Sequence, residues 1–147
     1  DVVAQARGGV PIRLEPGGPH SNVLDGVPAR ERIEYLTLGE RPTDDTLEGA
    51  DDELDEAGRQ ALSRLVSEPT VESFMRSSRR FSREADLLSE QVQSVIRDVA
   101  DADGRAAMAM LGETVFALDS GLSDAGYEPE VTSIDHAGAT LESPQPL

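Results

Sequence analysis

The sequence predicts an α+β fold, an antiparallel sheet with helices packed on one face, and three observations carry that expectation. Apolar residues recur at helical spacing over residues 54–66 and again over residues 71–99. Two short apolar runs, residues 106–111 and 114–118, flank Gly112-Glu113, the pattern of a buried hairpin. The resulting order of strand, two helices, hairpin, helix and strands is satisfied by an antiparallel sheet with a helical cover. With 147 residues, 37% of them hydrophobic and 3% aromatic, one modest aliphatic core is expected.

Asp1, the run Val-Val-Ala-Gln-Ala-Arg and then Gly8-Gly9 read as a short helix with a carboxylate at its N-cap and a glycine stop. The chain opens on Asp rather than Met, and a start inside a domain is expected. Residues 10–14 (VPIRL) look like a strand that Pro11 confines to an edge or a beginning. Residues 15–28, with Pro16, Gly17, Gly18, Pro19, Gly26 and Pro28, read as a loop or crossover and the best candidate for a boundary. Residues 32–38 (RIEYLTL) indicate a strand, and the acidic stretch 39–52 a turn-rich connection. Leu54, Ala57, Ala61, Leu62, Leu65 and Val66 mark a helix that Pro69 interrupts. Residues 71–99 form one long helix or two with a break. After the hairpin, residues 119–126 suit a short helix, and residues 131–134 and 139–141 a last pair of strands.

Acids outnumber bases 29 to 13, the net charge is −16, and every base is arginine. Such an excess repels phosphate backbones and anionic membranes, so neither nucleic acid nor membrane is expected as a partner. Arginine without lysine among so many carboxylates suits a protein kept soluble in molar salt, where screening acts over about 3 Å. The expected result is a fold weak or lost in dilute buffer and recovered in molar KCl, read by circular dichroism. Equal helicity and melting temperature at roughly 0.1 M and 2 M salt would give the acidic surface another purpose. Without cysteine, thiolate catalysis and zinc–thiolate sites are excluded, and the isolated His20 and His136 read as surface residues, so no metal site is predicted. No apolar run approaches the ~18 residues of a membrane helix, and with no signal-peptide pattern a cytoplasmic location is expected.

The opening DVVAQARGGVPIRLEPGGP resembles a segment of the GHMP-superfamily small-molecule kinases, in which an Asp begins a short helix and Gly-Gly follows seven residues later; Asp1 and Gly8-Gly9 keep that spacing. PTVESFMRSSRRF at residues 69–81 and AAMAMLGETVFAL at residues 106–118 resemble the archaeal pantoate kinase branch. The resemblance implies phosphoryl transfer from ATP to pantoate, giving 4-phosphopantoate for coenzyme A synthesis. It implies Mg2+ as well, held upstream of this chain with the phosphate-binding loop. The chain then corresponds to a C-terminal half that is inactive alone. Residues 1–28 are the end of a catalytic N-terminal domain, 29–142 a C-terminal domain and 143–147 a frayed tail, with a homodimer possible.

Taken alone, Asp1 is an N-cap; the resemblance makes it the base that accepts the hydroxyl proton late in transfer. Arg13, between Ile12 and Leu14, can grip the pantoate carboxylate through a bidentate pair or be one of many surface arginines. Gln5 shares a helix side with Asp1 and faces substrate hydroxyls or solvent. Gly112 is what remains of the superfamily's glycine-rich third motif, a nucleotide-proximal turn by resemblance. Arg76, Arg79, Arg80 and Arg83 form the densest basic cluster, expected to spread over more than one helix face and to pair with Glu72, Glu84 and Asp86. The rival readings are a mevalonate- or homoserine-type GHMP kinase and a non-catalytic interaction domain whose residues 71–99 bind a partner helix.

Overall fold

The computed structural model describes residues 2–15, 23–29, 32–40, 51–109 and 112–141. The tail at 143–147, His20 and most of the acidic stretch 39–52 lie outside them. The chain begins with helix α1 (Val2–Arg7), followed by strands β1 (Ile12–Arg13) and β2 (Val23–Leu24), which pair antiparallel as a separate ribbon. β2 falls inside the segment expected to be a loop. Strand β3 (Arg32–Thr37) and helices α2 (Asp51–Ser67), α3 (Val71–Glu84) and α4 (Glu90–Asp101) follow. The hairpin β4 (Ala106–Met108) and β5 (Thr114–Leu118), helix α5 (Gly121–Asp124) and strand β6 (Glu130–Ser133) complete it.

The 71–99 periodicity resolves into two helices because both have their own caps. The Thr70 side chain accepts from the Ser73 amide at 3.2 Å, and Ser89 accepts from the Val92 amide at 3.3 Å. Between them the chain leaves the helix at Ala85 and takes a positive φ of 51° at Asp86.

The four-stranded sheet has the order β4-β5-β3-β6, antiparallel throughout. Residues 139–141 form no strand; β6 pairs with β3 instead, Ile33 opposite Thr132. The expectation of helices on one face is also corrected. Successive side chains of a strand point to opposite faces, and here both faces are apolar. Val92, Val95 and Val99 of α4 pack with Ala106, Met108, Val115, Ala117 and Leu122 on one face. On the other, Ala107 and Leu118 meet Val71 and Met75 of α3, Leu62 and Leu65 of α2, Ile12 of the ribbon and Val27 beyond it. Phe74 and Phe116 add a tilted ring pair with centroids 6.3 Å apart. The apolar face that a partner helix would need on residues 71–99 is therefore filled from within.

Among the described residues one charged side chain is built into this core. Glu34, on β3, is fully buried. Its carboxylate accepts from the backbone amides of Leu122 (3.1 Å) and Ser123 (2.9 Å), the Ser123 hydroxyl (2.7 Å) and the Arg32 guanidinium (2.7 Å). It performs the capping that Ser120 does not, since Ser120 donates its hydroxyl to Asp124 instead. Burial pushes the Glu34 carboxyl up, but the bonds from Ser123 and Arg32 outweigh it and hold the group below its ordinary 4.5.

Candidate active site

The segment singled out in the sequence is docked through its backbone. α1 buries Val3 and leaves Ala4 and Gln5 exposed. Gly8 ends it in the left-handed region at φ 69°, its amide donating to the Ala4 carbonyl at 2.9 Å. Gly8 and Gly138 then lie back to back: a Cβ on Gly8 would stand 2.5 Å from the Gly138 nitrogen, and one on Gly138 2.6 Å from the Gly8 nitrogen. The Gly9 amide donates to the Asp135 carbonyl at 2.6 Å. The Asp135 carboxylate accepts from the Ala137 amide at 2.9 Å, an Asx turn that shapes the loop. Glycine at 8 is thus a steric requirement as well as a helix stop. Among the described residues the only side-chain ion pair of α1 is Arg7 with the exposed Asp25 at 3.8 Å, which contributes little.

The loop at residues 135–138 was legible only as a connection between two strands. Its signal was present in Asp-His-Ala-Gly, an Asx-turn former followed by a glycine. His136 is exposed, as expected.

Asp1 lies outside the described residues. Gln5 is exposed on α1, and Arg13 is exposed on β1 with its Nε donating to the Glu15 carbonyl at 3.3 Å. Gly112 lies elsewhere, at the bend between β4 and β5, and among the described residues it shares no recorded hydrogen bond with α1 or β1. A Cβ there would meet nothing within 4 Å, so packing does not demand the glycine. The next residue anchors this turn: the Glu113 carbonyl accepts from the Leu38 amide at 2.7 Å, and its carboxylate from the Ser89 hydroxyl at 2.6 Å. Among the described residues no group of three or more His, Cys, Asp or Glu could hold a metal ion. None of their helices is long and apolar enough to cross a membrane.

The arginine cluster corrects its expectation. Positions 76, 79, 80 and 83 are spaced i, i+3, i+4 and i+7, which is one face of a helix. Arg80 pairs with Glu84 at 2.6 Å as expected, but Arg76 pairs with Glu68 at 3.2 Å, and Glu72 is held by Arg105 at 2.9 Å.

The same fold occurs in a solved structure. It superposes on the solved structure of a "phosphotransferase related to CoA biosynthesis pathway" with a TM-score of 0.76 and 24% identity, over 95% of this chain and 49% of that one. In sequence the chain is similar to pantoate kinases. It is 31% identical over 121 residues to the pantoate kinase of Thermococcus kodakarensis and 30% identical over 122 residues to that of Methanocaldococcus jannaschii. Each match takes in 80% of this chain, but 40% and 44% of the two relatives, so the chain spans less than half their length. No protein-family model matches. The resemblance carried by PTVESFMRSSRRF and AAMAMLGETVFAL is thus to the same kind of protein as the similarity along 80% of the chain.

Proposed function

We propose that this chain is the C-terminal part of an ATP-dependent pantoate kinase of the GHMP type, forming 4-phosphopantoate in coenzyme A biosynthesis. The observation that carries the reading is the similarity to two pantoate kinases along 80% of the chain. In this reading residues 1–28 close a catalytic N-terminal domain, and 29–142 are a GHMP-type C-terminal domain. The protein is cytoplasmic and adapted to high salt.

The primary hydroxyl of pantoate attacks the γ-phosphorus of ATP; the new O–P bond forms as the bond to ADP breaks, and the Asp1 carboxylate accepts the hydroxyl proton. Arg13 holds the pantoate carboxylate and Gln5 a substrate hydroxyl, both from exposed positions on α1 and β1. Positioning is most of such catalysis, so the rigid seat of α1 on residues 135–138 matters as much as the side chains. Gly112 is assigned to the nucleotide side. Magnesium neutralises phosphate charge when bound; no group among the described residues fits it, and its ligands are not assigned to this chain.

The test is steady-state kinetics on the intact parent enzyme with pantoate, mevalonate and homoserine as acceptors. Turnover confined to pantoate is expected, and preference for another acceptor would overturn the substrate assignment. Asp1→Asn keeps shape and capping capacity but loses the base, so turnover should fall about 10²-fold with the KM for pantoate little changed. Full turnover in a folded Asp1→Asn enzyme would reduce the carboxylate to a helix cap.

A further inference from the structure

A groove of about 580 Å³ runs between α3 and α4. Four arginines of α3, Arg76, Arg79, Arg80 and Arg83, face Arg97 of α4 across it, and Leu88 and Ile96 contribute apolar lining. Five of the 13 arginines of a chain with net charge −16 thus line one concavity. Among the described residues Arg76 and Arg80 have carboxylate partners, whereas Arg79, Arg83 and Arg97 make no ion pair. Like charges at helical spacing repel. In a chain with 29 acids, three arginines without a described acidic partner in a concave site mark a place for an anion from outside. No residue of α1, β1 or β2 lines it.

We propose that this groove binds a small anion carrying two or more phosphate groups. Guanidinium forks match phosphate oxygens in bidentate pairs, and five of them suit a ligand of several charges better than a single carboxylate. The volume lies in the range of small-molecule sites. The apolar lining can carry the body of a nucleotide, so the polyphosphate either belongs to a nucleoside di- or triphosphate or stands alone. The inference does not depend on the kinase reading.

The test is calorimetric titration of the whole chain with inorganic tripolyphosphate, a nucleoside triphosphate, the bare nucleoside and polyglutamate, across a KCl series. Over the KCl range in which circular dichroism shows the chain folded, tripolyphosphate is expected to bind, more weakly as KCl rises, and to raise the melting temperature. The variant Arg79→Gln/Arg83→Gln/Arg97→Gln should bind it about 10³-fold more weakly at unchanged helicity, since each charge-assisted bond lost accounts for about tenfold. Arg59→Gln, on α2 and paired with Glu56, should change nothing. Tighter binding of the nucleoside triphosphate than of tripolyphosphate identifies a nucleotide as the source, and equal binding the polyphosphate alone. The lysine triple variant, which keeps the charge but not the fork, should fall between parent and glutamine variant. No binding by tripolyphosphate, binding indifferent to the glutamine variant, or tighter binding of polyglutamate would overturn the proposal.

Discussion

Glu34→Ala is expected to lower the free energy of unfolding by about 3 to 5 kcal/mol, measured by urea denaturation at neutral pH in high salt. The substitution removes the acceptor of four hydrogen bonds at once and strands the amide of Leu122, which is itself fully buried. Glu34→Gln keeps the shape and one acceptor, so about 1.5 to 3 kcal/mol is expected. The two also differ from the parent in their response to acid. The unfolded chain carries this carboxyl at its ordinary 4.5, and the fold holds it lower. Stability from the group is therefore complete above 4.5 and is lost as pH falls through the folded value, because the unfolded state then binds the extra proton. Glu34→Gln should flatten that acid limb; an unchanged slope would assign it to other carboxylates.

Gly138→Ala should cost about 3 kcal/mol or more in the docking of α1, read as a rise of roughly 10²-fold in exchange of the Gly9 amide proton. Gly138 has φ 65°, and a methyl there would stand 2.6 Å from the Gly8 nitrogen and 2.7 Å from the Ala6 carbonyl oxygen, backbone atoms that cannot rotate away. Gly126→Ala is the control, since Gly126 has φ 90° but nothing within 4 Å of the added carbon, so it carries only the conformational cost of about 1 to 2 kcal/mol. Equal costs at the two positions would show that close approach is not what holds α1. Under the proposed kinase reading, Gly138→Ala also lowers turnover without touching a substrate contact.

Much of this fold could be read from the sequence, and the misses have identifiable causes. Ala106–Met108 and Thr114–Leu118 pair as the hairpin that their turn predicted, and β3 and α2 fall where β-branched residues and 3/4 spacing put them. The two-faced sheet was not legible. In RIEYLT, Ile33 and Tyr35 alternate with Glu34 and Leu36, and a charge in that alternation reads as solvent-facing until α5 supplies its partners. On α3 the 3/4 spacing that starts at Val71 points to Phe74, whereas Met75 is the more deeply buried of the two, flanked by small buried serines that let the helix approach the sheet. At the candidate site Gly8-Gly9 was found through family spacing, but the reason for glycine lies 130 residues away at Gly138, beyond any local pattern.

Sheet order also sets the timing of assembly. Both neighbours of β3, the strands β5 and β6, follow it in the chain. During synthesis β3 must wait for about 80 further residues before β5 is made, roughly 4 to 16 s at the usual pace of translation. A waiting apolar strand with open edges invites pairing with another chain. Here Arg30, Glu31, Arg32 and Glu34 keep the emerging strand charged and hydrated. The carboxylate that later clasps α5 in the interior thus begins as a gatekeeper on the nascent chain, shielding the strand until its partners emerge.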